Sequence, residues 1–376
     1  MTSSYLEQID RCIKDNWLST VKGGYMEEFE NEAAKLFGNK FGVSTCNGTS
    51  ALYLALFCLS LESDKKEVII PTYGFHVSIS VICAFGLKPV FCDVDPATYA
   101  LDVDKCDKLV NDNTLAIMVL QPWGNLTNLN KISQLQKKHK IFIISDSSHA
   151  HESRWRGKPI GEFFDINCVS FGLGKLISGG ELGALTTDNP VFRDRALLFS
   201  HSNRVPSDLI TNHYKHIPNN VGIKFRPHLF ALLLALHDLK NNKNRRLTIK
   251  TNILNFQREV SSTTDQISFQ LAYPEADRVF HMPVIELSVD INTKDLIEDL
   301  INSGFHAQKH NYETVLSKNK ILTDFYHIKV KEEFANAESI IQKNIIQLYA
   351  TDFLEVERVL ILKEILLKHA GLSKTV

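Results

Sequence analysis

IFIISDSSHA (residues 141–150) and INCVSFGLGKLISGGELG (residues 166–183) decide how this chain is read. Each opens with a short apolar run, the pattern of a strand buried on both faces, and each then passes into small and polar residues. Working outward, runs of the same kind stand at 68–70, 89–94, 115–120 and 182–186, with helix-like segments between them. That alternation, from Gly48 to about Thr187, predicts an α/β domain built on a largely parallel sheet. Ligands of open α/β sheets bind beyond the carboxyl ends of the strands. The residues to examine are therefore 73–75, Asp93, Asp95, 121–124, 146–149 and 170–175.

Asp146 closes an apolar run, where a carboxylate needs a cationic partner or serves as a helix cap. Lys175 lies five residues after Ser170 among Gly172, Gly174, Gly179 and Gly180. Bare backbone lets a bulky ligand approach, and a lysine in such a place loses its proton more readily than a solvated one. In CNGTSALYLAL (residues 46–56), Asn47, Gly48, Thr49 and Ser50 form a small-residue turn into a helix, which suits either a simple cap or a phosphate. Each feature alone has an ordinary reading. Together, a phosphate cradle, a carboxylate for a ring cation and an amine for an aldehyde match pyridoxal phosphate.

The rest of the chain limits the alternatives. With 376 residues, 44% hydrophobic and 23% charged, the chain can bury roughly 75% of its unfolded surface and enclose a dry site. Its 42 basic and 43 acidic residues are well mixed, which disfavours nucleic acid as a partner. Seven cysteines without a CxxC pair read as reduced thiols of a cytoplasmic protein. The amino-terminal stretch has no apolar signal region. The longest apolar run, LFALLLAL (residues 229–236), is far below the ~20 residues of a membrane span. One long helix is expected over about 228–250. Beyond it come a strand over 279–287, a helix near 294–303 stopped by Gly304, and a last amphipathic helix after Leu354. A boundary near residue 250 divides a cofactor-binding domain, 1–250, from a small α+β domain, 251–376.

The motifs WLSTVKGGYMEEFE, NGTSAL, PTYGF, KPVFCDVDPATYALD, VLQPWGNLTNL, DSSHAHESRWRGKPIG and SFGLGKLISGGELG, in this order, resemble the sugar aminotransferases of the DegT/StrS type. These have the aspartate-aminotransferase fold, type I of the pyridoxal-phosphate enzymes. The resemblance fades after about residue 250, although PEADRVFHMPV and the HNY at 310–312 keep it. It implies a mostly parallel seven-stranded sheet flanked by helices. It also implies that Lys175 carries the cofactor as an imine and then acts as general base, that Asp146 binds the ring nitrogen, and that His149 binds the ring hydroxyl. Phe75 would stack on the ring. Gly48, the amides of Thr49 and Ser50, and the Ser170 hydroxyl would hold the phosphate. By the same resemblance, glutamate or glutamine gives an amino group to a keto sugar, nucleotide-linked or phosphorylated, in a homodimer with shared sites.

Two departures stand out. Leu182 occupies a position that is glycine in the family's GEGG, and Lys224 occupies that of an asparagine reaching the neighbouring subunit's phosphate. Leu182 either narrows the site or packs in the sheet, and is read as packing; Lys224 either completes the partner's anion site or binds a phosphate on the substrate, and is read as the former. His76, His201, Asn203, Arg226 and Tyr312 are candidates to touch substrate. A deoxysugar dehydratase is disfavoured because that branch replaces the lysine by histidine. A silent sensor or scaffold is disfavoured because it has no need of a reactive amine.

Overall fold

The computed structural model describes residues 3–15, 24–202, 210, 214, 222–310 and 312–372. Seven strands form the main sheet: β1 (Phe41–Thr45), β2 (Glu67–Pro71), β3 (Lys88–Cys92), β4 (Thr114–Leu120), β5 (Phe142–Asp146), β6 (Ile166–Ser170) and β7 (Gly183–Thr187). Their order is β1-β7-β6-β5-β4-β2-β3. All pairs from β3 to β6 are parallel, whereas β7 runs antiparallel to both β6 and β1. The reason is local. A parallel return needs a crossover, usually a helix, and the glycine-rich segment between Ser170 and Gly183 supplies none.

The uninterrupted apolar runs reflect burial on both faces. Val68, Ile70, Met118 and Ile144 point into one core with Leu52, Leu56 and Leu59 of α2 (Gly48–Ser60). Ile69, Ile117, Val119, Ile143 and Val169 point into the other, against Met26, Phe29, Ala33 and Phe37 of α1 (Gly24–Phe37). That alternation is the two-residue period of a strand, with both phases apolar. β1 escapes sequence reading because FGVST is short and contains a glycine.

The single helix expected over 228–250 is two: α3 (Leu229–Asn241) and α4 (Lys243–Thr263). The break falls in NNKN, residues of low helix propensity. Asn242 bends the chain there, its N–H donating to the Asp238 carbonyl at 3.0 Å. The same carbonyl accepts from Arg246 at 2.9 Å, and Arg246 also forks onto Glu152 at 2.9 and 3.0 Å. The apolar run 229–236 is a helix with Leu229, Ala231, Leu232, Leu233, Ala235 and Leu236 buried. Among the described residues no helix is long and apolar enough to cross a membrane.

Residue 250 lies within α4, whose Ile249, Ile253, Phe256 and Val260 belong to a third core. That core is completed by a four-stranded antiparallel sheet, in order β8 (Ile267–Phe269), β9 (Val284–Leu287), β11 (Asn344–Gln347) and β10 (Gln308–Lys309). Helix α5 (Val356–His369) covers it with Val359, Leu362 and Leu366. The expected strand is confined to the last four residues of 279–287. All seven cysteines are free, six of them buried.

Candidate active site

Strand register gathers the site. Asp146, the last residue of β5, is level with Leu120 of β4 and Cys168 of β6, and Ser170 at the end of β6 is level with Gly183 of β7. A cavity of about 350 Å³ opens at these strand ends. Its wall includes Gly48, Thr49, Phe75, Asp146, His149, Ser170 and Lys175, and also Asn47, Gln121, Ser148, Glu181 and Tyr312.

The start of α2 is pressed against β6 and β7. A Cβ on Gly48 would stand 2.7 Å from that of Ser170, and one on Gly183 would run into the Asn47 carbonyl, so bare backbone is required at both positions. Asn47 caps the helix, its side chain accepting the Ser50 N–H at 2.9 Å. This corrects one expectation. The Ser50 amide is spent on the cap and Ser50 is buried outside the cavity wall, whereas the Gly48 and Thr49 N–H groups have no partner among the described residues. Ser170 Oγ accepts from the Gly172 N–H at 3.1 Å, which leaves its own hydrogen to donate.

Asp146 Oδ1 accepts the Ser148 N–H at 3.0 Å, and its other oxygen makes no hydrogen bond among the described residues. Burial lowers the Lys175 pKa to about 8 against a smaller opposing pull from Asp146, so at pH 7 about a tenth of the amine is free, far more than for an ordinary lysine. His149 Nδ1 accepts the Trp123 N–H at 3.3 Å, so Nε2 carries the ring hydrogen. The His149 ring stacks on Trp123 and, at 4.2 Å, on His281. Burial, and then the charge of Lys175, push the pKa of both histidines well down, so both are neutral. The Trp123 backbone is left-handed at φ 59°, a strained conformation for a non-glycine residue, and it places the N–H that holds His149.

Phe75 lies at the mouth, 48% exposed. Of the substrate candidates among the described residues only Tyr312 reaches the wall, packed edge-on to Tyr73 at 5.2 Å. His201 is fully buried with Nε2 2.7 Å from the Ser44 carbonyl, a packing role rather than a substrate contact. His76 is exposed beside Phe75 and Arg226 is half-buried, neither in the wall, and Asn203 lies outside the described residues. Leu182 is fully buried in the core. Lys224 is exposed and does not line its own chain's cavity.

Sequence reasoning passed over His151, His281 and Glu181. Glu181 sits in the quoted glycine-rich segment and His281 in RVFHMPV, but only the folded chain puts Glu181 in the cavity wall and His281 within electrostatic reach of Lys175.

The model of the DegT/DnrJ/EryC1/StrS aminotransferase family matches residues 1–361. This chain is a member of that family. Among curated relatives of this DegT/StrS chain, GDP-perosamine synthase of Escherichia coli O157:H7 is 34% identical over 199 residues, 53% of this chain and 54% of the relative. L-glutamine:scyllo-inosose aminotransferase of Streptomyces griseus is 31% identical over 184 residues, 48% of this chain and 43% of the relative. The chain thus spans about half the length of the curated relatives it matches. Among solved structures, 3-amino-5-hydroxybenzoic acid synthase superposes with a TM-score of 0.84 at 22% identity, covering 99% of this chain and 97% of that one. An aminotransferase from Psychrobacter cryohalolentis also reaches 0.84, at 18% identity and with the same coverage. The fold expected from the resemblance, that of the type I enzymes, is therefore the fold of this chain.

Proposed function

We propose that this chain is a pyridoxal-phosphate-dependent aminotransferase that passes an amino group from glutamate or glutamine to a keto sugar, nucleotide-linked or phosphorylated. The observation that carries the reading is the meeting, in one cavity, of free backbone donors, an under-bonded carboxylate and a lysine whose pKa falls to about 8. This donor set fits the cofactor. When bound, pyridoxal phosphate supplies an aldehyde that condenses with amines and an electron-poor ring that accepts the electron pair of a breaking C–H bond.

The Gly48 and Thr49 N–H groups and the Ser170 hydroxyl would hold the phosphate at the positive end of α2. Asp146 would face the ring nitrogen and keep it protonated, and its free oxygen is placed for one such bond. His149, with its hydrogen on Nε2, would donate to the ring hydroxyl, and Phe75 would cover the ring at the mouth. Lys175 Nζ would bind the aldehyde carbon and then carry the proton between substrate and cofactor. Residues 1–250 would form the cofactor-binding part and 251–376 the small domain.

A second copy of the chain would complete the site. Phe75 at 48% and Leu173 at 88% exposure leave apolar surface on the cavity wall, and Ile223, at 44% exposure, adjoins Lys224. Lys224 would reach the phosphate of the partner. The relatives named for perosamine and scyllo-inosose support a polyhydroxylated ketone as acceptor, and Asn47, Gln121 and Glu181 give the wall polar groups to meet it. Free thiols accord with a cytoplasmic setting.

The test is the two half-reactions measured separately. Glutamate or glutamine should yield its keto acid and convert the cofactor to the amine form, and a nucleotide-linked keto sugar or a keto-inositol should then restore it. A donor reaction without transfer to either ketone would refute the sugar assignment, and no donor reaction would refute the aminotransferase.

A further inference from the structure

His151 lies outside the cavity wall, yet it is tied to both feet of the segment that carries Lys175. Its ring is 1% exposed, packed at 5.0 Å against Phe171 and edge-on to Phe37 at 6.4 Å. Nε2 stands 2.9 Å from the Ser170 carbonyl, and Nδ1 accepts the Ile177 N–H at 3.3 Å. A carbonyl only accepts, so Nε2 carries the hydrogen, and the amide only donates, so Nδ1 is bare. The neutral tautomer therefore satisfies every group, and a second proton would set two donors face to face.

Ser170 precedes the segment and belongs to the anion cradle, while Ile177 follows Lys175 by two residues. Between them, the Lys175 N–H reaches the Gly172 carbonyl at 3.2 Å, Ser178 Oγ donates to the same carbonyl at 2.9 Å, and the Gly179 N–H reaches the Phe171 carbonyl at 2.8 Å. From outside, Ser148 Oγ accepts the Ser170 N–H at 3.0 Å and Asp238 accepts the Ser178 N–H at 3.3 Å. Each of those holds one point. Among the described residues His151 is the side chain from outside the segment that bonds on both sides of the lysine.

We propose that His151 is a positioning residue, which as the neutral Nε2–H tautomer spans Ser170 and Ile177 and so fixes the Lys175 amine relative to the anion cradle. The geometry explains how a glycine-rich segment, with its high backbone freedom, can hold one amine in one desolvated place. The inference rests on the role proposed for Lys175, but its deciding readout is taken on cofactor-free protein. The groups facing that amine are Asp146, which favours its charge, and the neutral rings of His149, His151 and His281. Loosening the segment gives the amine more water, which moves its pKa back toward that of an ordinary lysine.

Cofactor-free protein is pulsed with acetic anhydride across a pH series. Labelling of Lys175 is read by peptide mass spectrometry, with exposed Lys40 as internal reference. His151→Phe keeps a packed ring and loses both bonds, and His151→Gln keeps one donor and one acceptor. We expect the Phe variant to label Lys175 about tenfold more slowly at pH 7, with its titration moved up by about one unit, and the Gln variant to recover most of the difference. Association of pyridoxal phosphate should slow in the same order. If the Phe variant does not fold, His151→Asn, which reaches one foot only, should shift in the same direction. A variant lacking either bond that labels within about twofold of the parent overturns the proposal, as does failure of Gln to rescue a Phe defect. A parent that labels as expected but takes up no cofactor refutes the functional reading and leaves the positioning result standing.

Discussion

Three residues carry the chemistry of this account, and two of them were legible as soon as the chain was read. Asp146 and Lys175 announce themselves because the features that matter are local: a carboxylate closing an apolar run, and a lysine among glycines. His149 needed the resemblance for its role, and the fold for its tautomer, since the hydrogen on Nε2 follows from the bond Nδ1 accepts from the Trp123 N–H. The Ser50 amide was misassigned because a cap and an anion cradle share one sequence pattern, and the Asn47 side chain settles which N–H groups remain. Two predictions belong at this scale. Asp146→Asn should keep the cofactor and lose about 10²–10³-fold in the donor half-reaction, measured by stopped-flow absorbance. Since the Lys175 pKa falls to about 8, capture of pyridoxal phosphate by cofactor-free protein should accelerate about tenfold per pH unit below that value and level above it. A flat profile between pH 6 and 8 would contradict a partly charged amine.

At the scale of elements, the parallel strands were readable because both of their faces are apolar, and the helix break at Asn242 was not. LFALLLAL and the amphipathic stretch after it both look helical, and the bend depends on Asp238, Arg246 and Glu152 meeting in space. The side chain of Arg246 is 5% exposed and that of Glu152 25%, so Arg246→Ala should cost about 3 kcal/mol or less, below the loss for a fully buried pair. Chemical denaturation would show it as a lower midpoint with an unchanged slope. The start of α2 makes a sharper case. Gly48→Ala places a methyl group 2.7 Å from the Ser170 side chain, so helix and strand must part. The expected result is a folded protein whose affinity for pyridoxal phosphate falls well beyond its loss of stability, as read by equilibrium binding. Unchanged affinity would remove the α2 terminus from the cradle.

Across the whole molecule, the order of the sheet turns scattered motifs into one site, and this is what the sequence could suggest only through the resemblance. Around Lys175 the fold also concentrates three neutral histidines, 149, 151 and 281. Burial depresses the proton affinity of each, His151 to a pKa of about 3. Unfolded histidines take up protons below about pH 6.5, whereas these do not, so the unfolded state binds more protons in the window from 6.5 downward. Stability is therefore complete above that value and falls on acidification, by about 1.4 kcal/mol per pH unit for each histidine held neutral. His151→Gln should flatten the acid limb of a plot of Tm against pH, measured on cofactor-free protein. The central claim is that one amine, Lys175, is the covalent anchor of the cofactor, and borohydride reduction of the loaded protein followed by peptide mapping tests it most directly. The account predicts a pyridoxyl group on Lys175 alone, absent when glutamate is added before reduction if glutamate is the donor. A label on another lysine, or none after full reconstitution, would contradict it.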